Sequence, residues 1–500
     1  MAKGAGLRDF LISLDRTANK SLQAQLREVL VSAILAGHLK PGDKLPSTRY
    51  LSQQLGISRN TSVLVYQALT EDGYLRTSER SGYFVNETVL EMGMNSAAVV
   101  PQESDDDPEH IKPVVWQDRL VKKPSQQRNI RKPRDWKSVP YPFIYGQPDE
   151  TLFPITDWRD CVYKAMGKKW LDEWSQDTQD NDDAMLVDQI RTRILPRRGI
   201  LAGEDQILVT LGAQQALYMI ASLMVEQGTK VAVEDPGYPD ARNIFSLRTN
   251  HVRGLPVDEQ GLPVNDLLND VDILYTTPSH QLPTTVTMPH ERRKALLERA
   301  RQQDFVIVED DYELETNYVG KPIPALKSLD REGRVIYVGS FSKTLFPGLR
   351  LGFLVASAEV VEQMRALRRL MVRHPPTNNQ RSTAFFLSLG YYDVFVRRLH
   401  RAYRERWNAM SYGLAEHFPD AKVARGMGGS SYWVELPDAG VDTETLAQKA
   451  FQKGIFIEPG GVYFLNSENK RCFRLGFSSI AEEKIAPGLE RLSALTVDGK

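Results

Sequence analysis

Apolar residues near the start of the chain recur at helical spacing. The run over residues 21–37 ends at a glycine and predicts a helix. A short helix capped by Ser47 and closed at Gly56 follows, and a third helix begins after Ser58. Two short helices around a glycine turn are typical of a helix-turn-helix, and residues 75–85 predict a two-stranded wing behind them.

Farther along, short apolar runs alternate with helical patterns. The runs are VAVED, DILYTTP, DFVIVEDDY, RVIYVGSFSK and LGFLVAS. This alternation predicts an α/β fold with a mostly parallel sheet, helices on both faces and a ligand at the carboxyl ends of the strands. After helical patterns over 358–373 and 380–417, strands at 431–436 and 473–477 predict a smaller α+β subdomain.

These patterns divide the chain into a helix-turn-helix domain over 1–90, a linker over 91–140 and an α/β domain over 141–500. The linker lacks periodicity and carries an acidic run followed by a basic tract, which favours a flexible or surface-docked tether. Its basic half could also add nonspecific affinity for phosphate groups.

Composition excludes several classes of protein. The two cysteines lie far apart without a CxxC pattern, which argues against a disulfide framework or a structural metal and fits a reducing compartment. The first residues lack the apolar stretch of a signal peptide, and the apolar segment 207–225 is interrupted by polar residues, so we expect a cytoplasmic protein without a membrane span. A net charge of −1 neither predicts nor excludes nucleic-acid binding.

The candidate chemistry centres on residues 339–352, which follow a buried strand. The Lys343 amine could form a Schiff base there, with Ser340 and Arg350 near enough to hold a phosphate. A serine-rich turn with one lysine is often only a solvated loop, but other segments supply matching groups. Asp310 ends another apolar strand, where its carboxylate could pair with a pyridinium nitrogen, and the Tyr312 phenol follows it.

Two further segments complete the pattern. A strand, a glycine turn at Gly212 and a helix start would present backbone amides to the phosphate. Another strand leads to Tyr238, which could stack on a pyridine ring or simply pack in the core.

Residues from about 140 to the end therefore resemble a fold-type I, aspartate-aminotransferase-like domain that binds pyridoxal 5′-phosphate (PLP). The resemblance implies that Lys343 carries the PLP Schiff base, Asp310 pairs with the pyridine nitrogen, Tyr312 meets O3′ and Tyr238 stacks on the ring. It assigns the phosphate to Gly212, Ala213, Gln214, Ser340 and Arg350. Arg474 matches the arginine that grips a substrate carboxylate, although it could also be a surface arginine of a strand.

The first ninety residues carry 11 Lys and Arg against 8 Asp and Glu. Their patterns LPSxR, GISRNT and RxGYFV resemble the GntR-type winged helix, although a plain three-helix bundle would show the same helices. The resemblance implies contact with double-stranded DNA by Arg49, Arg59, Thr61 and the wing-tip Gly82, with Ser58, Asn60 and Arg80 as further candidates.

A GntR-type winged helix joined to an aminotransferase-like domain resembles the MocR/GabR-type bacterial transcription regulators. That resemblance implies a homodimer, often head-to-tail, that senses either an amino compound or PLP itself through the Lys343 Schiff base. One departure bears on this. Active aminotransferases usually have Asn-Pro-x-Gly where residues 282–285 read Leu-Pro-Thr-Thr, so the asparagine that binds O3′ is missing. Sensing is thereby favoured over turnover, and the alternative is an active aminotransferase with an accessory N-terminal domain.

Overall fold

The computed structural model describes residues 14–18, 20–78, 81–88, 114–175, 181–320, 323–424, 426–437, 440–465 and 469–497. The chain divides into two compact units, Met1–Gln117 and Asp118–Lys500. In the described ranges, no helix is long and apolar enough to cross a membrane.

The first unit contains the predicted helix-turn-helix and wing. Its elements are α1 (Leu22–Leu35), α2 (Thr48–Leu55), α3 (Arg59–Glu71), β1 (Leu75–Ser78) and β2 (Gly82–Val85). Ser47 and Ser58 cap α2 and α3, each accepting a backbone N–H through its hydroxyl, and Gly56 closes α2 at φ +62°. Both caps and the wing agree with the sequence prediction, whereas Arg80 lies outside the described residues.

Burial explains why these helices pack together. Leu30 from α1, Leu51 from α2, Val65 and Leu69 from α3, and Leu75 from the wing form one buried cluster. β1 and β2 pair antiparallel, with Leu75 opposite Val85. The wing is therefore anchored by the same core that holds the two helices of the motif.

The second unit is larger and alternates strands with helices. Its strands are β3 (Tyr141–Pro142), β4 (Ile207–Thr210), β5 (Val231–Asp235), β6 (Val252–Pro256), β7 (Ile273–Thr276), β8 (Val306–Asp311), β9 (Val335–Ser340), β10 (Gly352–Val355), β11 (Lys422–Val423), β12 (Ser431–Glu435), β13 (Ile455–Phe456), β14 (Glu458–Pro459) and β15 (Cys472–Gly476). A short helix α4 (Trp116–Arg119) spans the division between the units, and the other helices are α5 (Ile155–Ala165), α6 (Leu171–Ser175), α7 (Ala184–Gln189), α8 (Ala213–Met224), α9 (Pro239–Ser246), α10 (His290–Gln303), α11 (Ala358–Val372), α12 (Thr377–Ser388), α13 (Tyr391–His417), α14 (Thr443–Gln452) and α15 (Ile485–Val497).

The described part of this unit has a central seven-stranded sheet in the order β4-β10-β9-β8-β7-β5-β6. All neighbours run parallel except β10, which runs antiparallel to β4 and β9. Only a single turn of 3-10 helix, Pro347–Leu349, interrupts the link between β9 and β10, which is too short for a parallel crossover. The predicted mostly parallel sheet is confirmed, with this one exception.

Core packing places helices on both faces of the sheet. Ile207 and Val209 belong to one hydrophobic cluster and Leu208 to another, because successive strand residues point to opposite faces. A second sheet, β11-β12-β15-β14, forms the predicted smaller α+β part.

One predicted helical pattern is divided by a turn. The pattern over 380–417 belongs to α12 and α13, which are separated at Gly390, where φ is +79°. The left-handed conformation of this glycine allows the chain to turn within one continuous apolar pattern.

Part of the segment predicted as a linker packs on the second unit. Gln127 donates its amide to the Asn243 carbonyl at 3.1 Å. Arg242 and Asn243 donate to the Arg128 carbonyl at 3.2 and 2.9 Å, and the Arg128 guanidinium bonds to the Gly461 carbonyl. Gln127 and Arg128 are therefore held by backbone and side-chain hydrogen bonds, and residues 91–113 lie outside the described ranges.

Candidate functional site

The sheet topology brings the candidate residues to one edge. Strands β4, β5, β8 and β9 all run in the same direction, so their carboxyl ends meet. Gly212 follows β4, Tyr238 follows β5, Asp310 lies at the end of β8, and Ser340 ends β9 just before Lys343. This is the edge at which α/β folds bind ligands.

Lys343 lies among other charged groups in a largely buried site. Its Nζ is 4.3 Å from the centroid of the Tyr145 ring, and it sits against the backbone of Gly146, where a β-carbon would collide with it. Burial lowers the pKa of the Lys343 amine to about 7, and the positive charges of Lys132 and Arg474 act in the same direction. A substantial fraction of this amine is therefore neutral and nucleophilic near pH 7.

Asp310 differs from the carboxylates on either side of it. Glu309 accepts the backbone N–H groups of Leu326 and Lys327, and Asp311 accepts from Arg198 at 2.7 Å. Asp310 accepts only from the Tyr275 hydroxyl through Oδ2, and its Oδ1 has no partner among the described residues. Burial raises the pKa of Asp310 to about 7, so this carboxylate is short of a positively charged partner.

A second group of side chains gathers at the start of α8. Gly212 caps this helix at φ +86°, and a β-carbon there would lie 3.6 Å from Nη2 of Arg350 and 3.8 Å from Oγ of Ser342. The Ser342 hydroxyl is buried without a hydrogen-bond partner among the described residues. Free N–H groups of the first helical turn, a hydroxyl and a guanidinium together suit a phosphate.

The sequence predicted a phosphate contact for Ser340 and none for Ser342. In the structure the Ser340 hydroxyl accepts the backbone N–H of Ser342 at 3.2 Å and so supports the turn. Gln214, the second residue of α8, donates its side-chain amide to Asp240. Ala213 and Gln214 can therefore offer a phosphate only their backbone N–H groups. A second serine directly before the lysine was the available signal for Ser342.

Aromatic side chains line the space between Lys343 and Arg474. Tyr145, Tyr312 and the half-buried Tyr238 belong to one cluster. The Tyr312 hydroxyl is buried without a partner among the described residues, whereas the Tyr238 hydroxyl donates to Asp240 at 3.0 Å. Sequence reasoning missed Tyr145, because no local pattern around it indicates this position.

Arg474 is fully buried in β15, so it is not a surface arginine. Its Nε donates to the Ser431 hydroxyl at 2.8 Å, and its guanidinium carbon lies 3.3 Å from the centroid of the Tyr145 ring. Nη2 has no hydrogen-bond partner in the described part of the chain. A buried guanidinium with an unused N–H group suits a small anion such as a carboxylate.

Residues 282–285, which differ from the usual Asn-Pro-x-Gly, form a buried turn beside the site. Leu282 is 4% exposed and packs in the aromatic cluster, so it offers no hydrogen-bond donor to the site. Thr285 keeps a left-handed backbone at φ +63°, a conformation that favours the glycine usual at this place. Gln281 braces the turn by donating to Glu234 at 3.2 Å and to the Leu282 carbonyl at 2.8 Å.

The first unit presents polar side chains at the starts of α2 and α3. Arg49, Arg59 and Asn60 are exposed, while Thr61 is half-buried and its hydroxyl lies 2.8 Å from that of Ser58. The hydroxyls of Ser58 and Thr61 therefore bond to each other in the helix cap, whereas the exposed side chains are free to contact a DNA groove.

The wing adds basic groups that sequence reasoning missed. Gly82 is exposed at φ +108°, and a β-carbon there would lie 3.6 Å from Cε of Lys44. Lys44 and Arg76 flank the Phe84 ring at 5.7 and 5.4 Å from its centroid. Lys44 reaches the wing through a backbone bridge to Phe84, a long-range pairing that no local pattern reveals.

Comparison with known families agrees with this division. Residues 22–85 match the family described as bacterial regulatory proteins, gntR family. Residues 186–492 match aminotransferase class I and II. The HTH-type transcriptional regulator TauR of Rhodobacter capsulatus is 42% identical over 475 residues, which cover 95% of this chain and 96% of TauR. The probable rhizopine catabolism regulatory protein MocR of Rhizobium meliloti is 30% identical, over 96% of this chain and 95% of that protein.

The chain belongs to the MocR-type transcriptional regulators. The second unit of this regulator also resembles a solved enzyme, the kynurenine aminotransferase of Pyrococcus horikoshii in complex with PMP. That structure is 30% identical, covers 76% of this chain and 98% of its own, and superposes with a TM-score of 0.69. The MocR-type chain thus has an N-terminal GntR winged helix and a C-terminal fold-type I transferase fold, as predicted.

The residues at the strand edge fit the cofactor of that fold. The buried polar atoms without a hydrogen-bond partner among the described residues include four in this region: Asp310 Oδ1, Tyr312 Oη, Ser342 Oγ and Arg474 Nη2. A pyridine nitrogen, a phenolic oxygen, a phosphate and a ligand carboxylate are their respective chemical complements. Buried groups of this kind are normally satisfied, so this set indicates a ligand site.

Proposed function

We propose that this MocR-type regulator binds PLP at the carboxyl edge of the sheet and senses an amino compound there. Lys343 would hold the cofactor as a Schiff base, Asp310 would pair with the ring nitrogen, and Tyr312 would meet its phenolic oxygen. When bound, PLP supplies an aldehyde that condenses reversibly with primary amines. The main support is the set of four buried polar atoms that have no partner among the described residues, together with a lysine whose pKa is lowered.

The chain's own residues would divide the recognition between them. Gly212, Ala213 and Gln214 offer backbone N–H groups to the phosphate, together with Ser342 and Arg350. Arg474 would bind an acidic group of the effector through its free N–H and so select amino compounds that carry one. Tyr238 remains the candidate for stacking on the ring.

Sensing is favoured over turnover by the apolar Leu282. Efficient transamination needs a tightly positioned cofactor and a proton transfer from the substrate carbon. Leu282 cannot donate a hydrogen bond to the cofactor's phenolic oxygen, whereas the usual asparagine can. Weak transamination by Lys343 is compatible with this site, but the regulatory role does not require it.

Exchange of one amine for another at Lys343 could alter DNA binding only if the two states differ in their contacts. We propose that the winged helix binds promoter DNA through Arg49, Arg59, Asn60 and the wing around Gly82, and that this takes place in the cytoplasm. Arg80 stays a candidate from the sequence alone.

We further propose a head-to-tail homodimer. Helix α5 and its C-cap carry large apolar side chains at Ile155, Tyr163 and Met166, which are 65%, 70% and 54% exposed. These residues fall on one side of a helix, and an exposed apolar face of this kind suits a subunit contact. Sedimentation velocity of Tyr163→Glu beside the wild type tests this face.

Titration of the purified protein with amines tests the sensing role. We expect a visible absorption band from PLP that is absent in Lys343→Ala and shifts when an amine with an acidic group is added. Fast, keto-acid-dependent turnover without any specific DNA site would instead support the alternative of an active aminotransferase.

A further inference from the structure

The segment that precedes the α/β fold reaches the candidate effector site through one side chain. Nζ of Lys132 donates a hydrogen bond to the Tyr145 carbonyl and lies 3.7 Å from Oε1 of the buried Glu458. It is also 5.3 Å from the centroid of the Tyr145 ring, on which Arg474 packs. A residue of the basic tract thus lines the same space as the proposed effector ligand.

Lys132 and Lys343 are close neighbours. Nζ of Lys132 lies 3.5 Å from the point that a β-carbon on Gly146 would occupy, and Nζ of Lys343 would collide with that same point. The charge of Lys132 is accordingly one cause of the lowered pKa of Lys343. Two amines and the Arg474 guanidinium therefore surround Tyr145 and Gly146.

These cations are incompletely neutralised. Arg474 contacts hydroxyl groups and an aromatic ring, and within the described residues it makes no ion pair. Glu458 is shared, since its Oε2 accepts from the Tyr463 hydroxyl at 3.1 Å and its Oε1 faces Lys132 at a distance longer than a good hydrogen bond. Glu313 is a second carboxylate whose charge acts on Lys343, but within the described residues neither it nor Glu458 forms an ion pair with Arg474. The Arg474 guanidinium can therefore accept an added anion.

We infer that Lys132 is a second cationic contact for the acidic group of the amino effector, beside Arg474. The inference deepens the proposed function and rests on it. The ligand class is a primary amine that also carries a carboxylate or sulfonate. The Lys132 side chain is 27% exposed, so it can move towards a bound anion while Glu458, at 3%, stays fixed.

A chain of contacts links the two cationic residues. Nη1 of Arg474 lies 3.5 Å from the Tyr463 hydroxyl, which donates to Glu458, which in turn pairs with Lys132. An anion at Arg474 would compete with Glu458 for the Lys132 ammonium. Because Lys132 lies in the segment that continues towards the winged-helix unit, effector binding would change the contacts of that segment directly.

The test compares Lys132→Gln with wild type in the full-length, PLP-loaded protein. The probes are primary amines with an acidic group two to five carbons from the nitrogen, including an amino sulfonate, and propylamine as the uncharged comparator. Absorption titration gives an apparent affinity for each probe. Lys132→Arg tests rescue by another cation, and Lys122→Ala is the matched control because Lys122 is an exposed lysine of the same tract.

We expect Lys132→Gln to weaken the tightest acidic amine about tenfold, as for one lost charge-assisted contact. Propylamine should change less than twofold, Lys132→Arg should keep most of the affinity, and Lys122→Ala should match wild type. In the apoprotein, Lys132→Gln should raise the pKa of Lys343, a change that a merely structural role would not cause. Thermal melting of each variant checks the fold.

Equal affinity of Lys132→Gln and wild type for every acidic amine would overturn the inference and leave the sensing role intact. A wild type that responds only to propylamine would overturn it as well. If the wild type gave no PLP band, or no amine changed that band, the proposed function itself would fail.

Discussion

Lys343 provides the sharpest quantitative prediction, because its amine is predicted to titrate near neutrality. Burial and two neighbouring cations lower its pKa to about 7. At pH 7 about half of this amine is neutral, against about four in ten thousand for a lysine with the ordinary pKa of about 10.4. The rate at which Lys343 is acylated in the apoprotein should therefore rise with pH up to about 7 and level off above about 8.

Competitive labelling measures this profile directly. The apoprotein is treated briefly with acetic anhydride at a series of pH values, and mass spectrometry quantifies modification of the peptide that carries Lys343. Lys122 is exposed and serves as an internal reference in the same digest. A Lys343 rate that still increases tenfold per pH unit between pH 8 and 9.5 would refute the electrostatic description of the site.

The same shift predicts a pH-dependent stability. The folded pKa of Lys343 lies below its unfolded value, so the unfolded chain binds more protons between pH 7 and 10.4, and the apoprotein gains stability as pH rises through that window. The cost of burying the protonated Lys343 reaches its full size below pH 7. Lowering a pKa by about 3 corresponds to roughly 4 kcal/mol, so Lys343→Met should raise the free energy of unfolding by up to about 4 kcal/mol at pH 6 and by less at pH 9.5. An equal effect at both pH values would contradict this.

Three further substitutions test the cofactor site and the DNA-binding unit. Ser342→Ala should weaken PLP binding about tenfold and more than Ser340→Ala does, because only the Ser342 hydroxyl is unpartnered; equal losses would argue against this assignment. Asp310→Asn should weaken PLP binding at least tenfold, since an amide keeps the acceptor for Tyr275 but loses the charge that favours a protonated ring nitrogen; unchanged binding would count against that pairing. In electrophoretic mobility shifts, Arg59→Ala should reduce DNA affinity, and Lys20→Ala, at an exposed lysine that pairs with Glu28 and lies outside α2, α3 and the wing, should not. Similar losses would indicate only nonspecific attraction.

Helix caps and strand ends could be predicted from the sequence, because they depend on neighbouring residues. Ser47, Gly56 and Ser58 are cap and stop signals whose effect depends only on neighbouring residues. Asp310 and Ser340 follow from apolar strands, because a strand fixes where its carboxyl end lies in a parallel sheet.

The remaining features depend on long-range packing. Lys132 lies in a charged tract without periodicity, which resembles a solvated tether, yet its ammonium bonds to a carbonyl beside the site. Tyr145 lies near the start of the second unit's sequence, after the two-residue strand β3, and Glu458 lies near its end, in the two-residue strand β14. Neither short strand indicates locally that the two residues meet. The direction of β10 depended on the length of its connection, which periodicity alone does not convey.

The central claim is that an amine at Lys343 controls DNA binding. A duplex selected by the protein from a random library serves as the operator, and its affinity is measured with the PLP-loaded wild type and with Lys343→Ala, each with and without a saturating acidic amine. We predict that the amine changes the affinity of the wild type at least fivefold and leaves Lys343→Ala unaffected. An operator affinity that the amine leaves unchanged in the wild type, while the protein turns that amine over with a keto acid, would contradict the account.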